Sequence, residues 1–161
     1  LEDKSILKIS GKDKFSFIQG IISNDVEILK KKCSIYSSIL SPQGKFIVDF
    51  FLSIYNEFLL LEINKDQRDK ILRKLEMHKL RSDVFIEVEK NISIFLISND
   101  SEANLKKLNN YLCFEDPRFE SLFKRIYVFK NSNYLRRRIE RSIFSLVSGH
   151  EIYDFKLIFI I

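Results

Sequence analysis

Residues 5–9, SILKI, alternate apolar and polar positions and predict a strand. The following stretch, GKDKFSFIQGIISND, changes period. Phe15, Ile18 and Ile22 fall on one face of a helix, with Ser10 or Asp13 placed to cap its start. Ser23, Asn24 and Asp25 are turn formers, and Asp25 opens a second helical turn through Leu29. Cys33 to Leu40 and Lys45 to Ile54 are β-like runs joined by Ser41-Pro42-Gln43-Gly44, a proline and glycine combination that signals a hairpin. A third run, Glu57 to Ile63, follows a tight turn at Tyr55-Asn56, so the three strands read as an antiparallel meander.

Asn64 to Lys79 returns to helical spacing, with Ile71, Leu72 and Leu75 in one stripe and charged residues around the rest. Val84 to Glu89 and Ile92 to Ser98 alternate as strands about a turn at Lys90-Asn91. Glu102 to Leu112 predicts a helix through Leu105, Leu108 and Leu112, Ile126 to Phe129 a strand, and Asn133 to Phe144 a last helix bearing Leu135, Ile139 and Ile143. Strand hairpins with helices inserted between them predict an α+β fold of antiparallel sheets.

Composition narrows the function classes. At 161 residues and 45% hydrophobic, the chain builds one ordinary core, or two small ones sharing an interface. A net charge of +5 favours anionic partners mildly and falls short of the concentrated basic face of a dedicated nucleic-acid binder. Cys33, Cys113, His78 and His150 are scattered singly, without metal-ligand spacing, and the cysteines read as reduced thiols. No secretory signal stands at the start, and the terminal run FKLIFII is too short to span a bilayer, so no membrane partner is expected. The chain begins at Leu1 and stops in an apolar run, which reads as a piece of something longer.

Within KFIVDFF, Asp49 is a single carboxylate in an apolar strand, on the face shared with Ile47 and Phe51. Burying it costs several kcal/mol unless a partner meets it, roughly the penalty of any unpaired buried charge. It either points inward to a ligand or faces solvent at an edge.

Phe17-Ile18-Gln19-Gly20, Ser23-Asn24-Asp25, Tyr36, Ser41-Pro42-Gln43-Gly44-Lys45 and Asp49 form an ordered signature. It resembles the FLQG–TND–PQGK–D pattern of the YgfZ-type folate-binding proteins, relatives of the glycine cleavage T-protein, an aminomethyltransferase. Leu80 to Val84 is similar to that family's helix-to-strand junction, and Asp116-Pro117-Arg118 to its DPR turn. The likeness covers residues 5 to 118 and weakens beyond. It implies a folate-binding region over residues 1–130, with a meander, helix and hairpin subdomain at 33–98, then a helix and the start of a truncated C-terminal part at 131–161. It also implies tetrahydrofolate as ligand, held by Asp49 with Asn64 and Tyr36, and no catalytic residue or metal of the protein's own. Client iron–sulfur proteins are the implied partners, with roles in cluster assembly or repair and tRNA modification. The implied location is the bacterial cytoplasm, or the mitochondrial matrix in a eukaryote. The residues themselves leave alternatives open: Asn64 as a helix N-cap, Tyr36 as a plain sheet aromatic, Asn24 and Asp25 as a turn and cap pair.

The chain departs from that family in lacking a Lys-Gly-Cys-x-x-Gly-Gln-Glu motif, which neither Cys33 nor Cys113 supplies. Two other functions compete. One is a tetrahydrofolate-dependent aminomethyltransferase, against which the single Asp49 counts. The other is a basic RNA-binding module using Arg136, Arg137, Arg138 and Arg141, although nucleic acid is not the expected partner: the chain lacks the aromatic interleaving of an RNA-recognition sheet.

Overall fold

The computed structural model describes residues 1, 3–98, 110–118 and 122–129. The chain divides into two units, Glu2–Lys90 and Asn91–Ile161, the second taking in Leu1. The fold is α+β, with antiparallel sheets, as the hydrophobic pattern predicts.

In the first unit five strands form a sheet in the order β2-β3-β4-β1-β5. These are β1 (Lys4–Ser10), β2 (Ser34–Leu40), β3 (Phe46–Tyr55), β4 (Phe58–Asn64) and β5 (Phe85–Glu89). Helix α1 (Lys14–Gln19) and a 3-10 turn (Val26–Lys30) connect β1 to β2, and helix α2 (Arg68–Lys79) connects β4 to β5. One face of the sheet carries the core. Leu7, Ile9, Ile35, Ile39, Val48, Phe50, Leu52, Leu59, Leu61 and Ile63 pack there with Phe17 and Ile18 of α1 and Ile71 and Leu75 of α2. Each fully buried aliphatic side chain of this kind contributes about 1.5–3 kcal/mol by removal from water.

The hairpin between β2 and β3 forms where Pro42 and Gly44 predict it. Gly44 N–H donates to the Ser41 carbonyl at 2.9 Å, and the Ser41 hydroxyl accepts from Gln43 and Lys45 N–H. Gly44 supplies the positive φ of +76° that closes the turn. Just past it the register shifts: Ile39 pairs with Val48 but Leu40 with Phe46, leaving Ile47 as a β-bulge. This corrects the expected alternation. Ile47 packs against the main core together with Val48, and of its predicted face-mates Asp49 keeps Phe51.

Other local expectations change as well. α1 stops at Gln19, Phe17 rather than Phe15 is buried, and Ile22 makes an isolated bridge to Ile39. Asp13 precedes α1, yet its carboxylate accepts Asp83 N–H at 2.8 Å instead of capping the helix. Gly11, at φ +106°, is required in this junction because a Cβ there would lie 2.1 Å from the Asp83 carbonyl oxygen. Asp25 caps the 3-10 turn by accepting from Glu27 N–H at 2.9 Å. α2 begins after Gln67, so Asn64 is not its cap but the last residue of β4.

In the second unit β6 (Ile92–Ser98), β7 (Tyr111–Glu115) and β8 (Phe123–Phe129) form a sheet in the order β6-β8-β7. Tyr111 and Leu112 lie in β7, contrary to the predicted helix over 102–112, whose earlier residues fall outside the described set. The predicted helix over 133–144, with its arginines, also lies outside the described residues. Asp116 of the DPR turn is fully buried. It accepts from Arg118 Nε at 2.9 Å and Nη2 at 2.8 Å, and from Arg125 Nε at 2.9 Å. Burial pushes its carboxyl up, but the Arg118 side-chain and backbone hydrogen bonds and the Arg125 and Arg118 charges outweigh that and hold it below the usual carboxylate range.

Among the described residues no helix is long and apolar enough to cross a membrane.

Candidate functional site

The face of the five-stranded sheet opposite the core is set by strand parity. It carries Tyr36 and Ser38 of β2, Asp49 and Phe51 of β3, Glu62 and Asn64 of β4, and Lys4, Ile6 and Lys8 of β1. Its middle is buried: Ile6, Phe51, Ser53, Leu60 and Glu62 are 3% exposed or less. Towards the tip of the β2–β3 hairpin the face opens, through half-buried Tyr36 and Asp49 to exposed Asn64.

Tyr36 and Asp49 meet at this opening. Tyr36 pairs with Phe51, and their ring centroids lie 5.0 Å apart. The phenol therefore leans along the strand and donates its O–H to Asp49 Oδ2. Asp49 itself stands opposite Ser38. The carboxylate keeps Oδ1 for a further donor, beside an aromatic wall.

The residues preceding β2 form a brace. Asn24 Nδ2 donates to the Tyr36 carbonyl at 2.9 Å, and Asn24 Oδ1 accepts from Asp25 N–H at 2.7 Å. Gln19 Oε1 accepts from Val26 N–H at 2.7 Å. Ser23 and Ser38 share a hydroxyl hydrogen bond of 2.8 Å, and Ser23 N–H donates to the Ser38 carbonyl at 2.9 Å. Asn24 and Asp25 are thus structural, as a turn and cap pair; their hydrogen bonds seat the edge strand that bears Tyr36.

Asn64 stands at the end of the neighbouring strand. The β3–β4 ladder runs from Tyr55–Phe58 to Phe51–Glu62 and ends there. Two residues further along each strand on this face are Asp49 and Asn64. Asn64 is paired to Lys4 on the other side, and its Oδ1 accepts from Lys4 Nζ. Its amide N–H groups stay available as donors. The opening therefore offers an acceptor on Asp49, donors on Asn64 and the half-buried ring of Tyr36, backed by buried Phe51. That set suits a flat heterocycle with N–H and C=O groups on its edge.

Sequence reasoning missed Glu62. It is 2% exposed and directly opposite Phe51 on the same face. The signal was present in LLLEI, a lone carboxylate within an apolar strand, the same argument that singles out Asp49. Lys4 was missed for want of any signal, because a lysine near a chain start reads as a solvated charge.

No protein-family model matches this chain. It is similar to the iron-sulfur cluster assembly factor IBA57 homolog, mitochondrial, of Coccidioides immitis, 31% identical over 99 residues, covering 51% of this chain and 23% of that protein. An aminomethyltransferase of Alkaliphilus oremlandii is 27% identical over 150 residues, covering 91% of this chain and 39% of its own length. The tRNA-modifying protein YgfZ of Hamiltonella defensa is 29% identical over 115 residues, covering 71% and 33%. The alignments thus span between about a fifth and two fifths of these relatives' length. The crystal structure of glycine cleavage system aminomethyltransferase T from Bartonella henselae shares the fold, with a TM-score of 0.71 at 12% identity over 87% of this chain and 43% of that one. The chain is a distant homologue within the superfamily that holds aminomethyltransferases, YgfZ proteins and IBA57 assembly factors, and the likenesses do not single out one of the three.

Proposed function

We propose that the opening at Tyr36, Asp49 and Asn64 takes a reduced folate, and that the protein acts as a folate-binding accessory factor in iron–sulfur cluster assembly or repair. The observation that carries this reading is the Tyr36 hydroxyl bound to Asp49 on the open end of the sheet. One carboxylate oxygen is occupied and oriented, and the other is left to accept from a ring N–H. The name of the relative from Coccidioides immitis supports the choice of process. When bound, the reduced pterin supplies one-carbon chemistry at its ring nitrogens. This chain's residues bind the ring and orient it: Asp49 accepts from its N–H edge, Asn64 donates to its carbonyl, and Tyr36 holds the carboxylate in place. Client iron–sulfur proteins are the partners on this reading.

The test is an anaerobic calorimetric titration of the full-length protein with tetrahydrofolate. Binding is expected, weakened about tenfold or more by Asp49→Ala, the loss of one charge-assisted hydrogen bond. An intact protein that does not bind tetrahydrofolate removes the reading.

A second reading, tetrahydrofolate-dependent aminomethyl transfer, is favoured by the Alkaliphilus oremlandii relative, whose alignment covers 91% of this chain. It predicts one-carbon transfer to tetrahydrofolate in the presence of the lipoylated carrier protein. An accessory factor binds the same ligand without that turnover.

A further inference from the structure

We infer that the solvent side of α2, with the corner it makes against α1 and β5, is a docking surface for an acidic segment of a partner protein, one in which carboxylates stand beside large apolar side chains. α2 turns Ile71 and Leu75 into the core. Its outward side is therefore across the sheet from the Tyr36–Asp49 opening, and the inference stands whatever that opening holds.

Two features meet on this surface, and the first is charge. Residues 68–81 carry six Lys and Arg against two Asp and Glu, a net of +4 in a chain whose total is +5. Both acids are spent within the helix, Asp69 on Arg68 at 2.8 Å and Glu76 on Lys79 at 3.9 Å. Among the described residues, Lys70, Arg73, Lys74 and Arg81 make no ion pair, and Asp83 is a single exposed acid beside them. Cations left open in this way attract an acidic partner and steer its approach.

The second feature is apolar exposure. Met77 and Leu80 follow Arg73 along the same side of α2, 76% and 89% exposed, and Phe85 at the start of β5 is 62% exposed. Lys79 Nζ lies 5.4 Å from the Phe85 ring centroid, which brings the end of α2 and the start of β5 to one corner. Leu80 holds φ +43° and ψ −107°, a costly conformation for a residue with a Cβ, and leaves its side chain in water. Glycine would remove both costs, and a partner that covers the side chain accounts for leucine. Beside it Asp13, Ser16, His78, Arg81 and Ser82 line an open concavity of about 850 Å³, room for the side chains of a docked segment. The acid there is already engaged, Asp13 accepting Asp83 N–H at 2.8 Å, so Arg81 and the Ser82 hydroxyl remain for an incoming carboxylate. An anionic membrane or an RNA fits less well. The apolar stripe of α2 is buried in the core, and a phosphate backbone has no use for exposed methionine and leucine.

Fluorescence anisotropy on the full-length protein tests the assignment with a labelled peptide of repeated Glu-Glu-Leu-Leu units and its Lys-Lys-Leu-Leu counterpart. The acidic peptide is expected to bind about tenfold or more tightly than the basic one, less so as salt rises. Leu80→Gly and Arg81→Glu each weaken it about tenfold or more, as loss of a central anchor does. Phe46→Ala, which trims another exposed ring at the tip of the β2–β3 hairpin, leaves it unchanged. Polyuridylate and phosphatidylserine vesicles, added as competitors at physiological salt, do not displace it. Both corner side chains are exposed, and unchanged or raised urea midpoints show that the variants remain folded. The assignment is overturned if the acidic peptide fails to bind or binds no better than the basic one. It is overturned equally by native-like binding in either corner variant, by a matching loss in Phe46→Ala, or by displacement with either competitor.

Discussion

The Asn24 side chain donates to the Tyr36 main-chain carbonyl at 2.9 Å, tying the turn before β2 to the residue whose hydroxyl holds Asp49. Among the described residues β2 pairs with one strand, β3, and meets the chain on its other side through the isolated Ile22–Ile39 bridge. The amide of Asn24 supplies part of what a second strand would.

Asn24→Ala is therefore expected to destabilise the protein by about 1–2 kcal/mol, the loss of a bond to a half-buried carbonyl together with the Asp25 N–H contact. It also weakens tetrahydrofolate binding without touching the ligand. Urea unfolding and calorimetry read the two effects. An unchanged affinity in a destabilised variant shows that the brace serves folding alone.

Ser37 lies on the core face of β2, paired with Phe50, and its hydroxyl oxygen is buried without a hydrogen-bond partner among the described residues. Ser37→Ala removes that desolvated hydroxyl and is expected to stabilise by about 1 kcal/mol. A higher urea midpoint at unchanged m-value checks this.

Leu80 ends α2 at φ +43°, where helices commonly place glycine, and its side chain is 89% exposed. Leu80→Gly relieves the backbone without emptying any core and is expected to add about 1 kcal/mol. A variant that loses stability instead makes the exposed leucine a packing residue.

Asp116, held below the usual carboxylate range in the fold, makes stability depend on acid. The unfolded carboxyl titrates near about pH 4 and the folded one lower. The contribution is fully present above the unfolded value and is lost as pH falls through the folded one. Asp116→Asn is expected to cost about 3 kcal/mol at pH 7, since it takes the charge from two guanidinium groups, one of them buried. The deficit should narrow below about pH 4. Urea midpoints of both proteins across that range test it, and a constant difference contradicts the assignment.

The meander was legible because its punctuation is local. Pro42 and Gly44 close one turn, and Asn56, at φ +51°, the next. The strand β7 was not, because Leu105, Leu108 and Leu112 keep helical spacing while Leu112 is in fact paired to Tyr127. Of the site, Asp49 stood out as a charge in an apolar run. Its meeting with Tyr36 did not, since the two are not cross-strand partners and depend on a phenol reaching along β2. Arg125 as the partner of the DPR carboxylate was also invisible, because nine residues and a chain reversal separate them.

The unpaired Ile47 decouples the tip of the hairpin from its body. Insertions or deletions on the Pro42 side of that kink change the reach of the loop and nothing else. Between Val48 and Tyr55 the strand has no such slack. One residue more or fewer there exchanges odd positions for even ones, turning an acid into the hydrocarbon interior and a core phenylalanine onto the opposite face. Variation in chain length around this site is thereby confined to one side of a single amino acid.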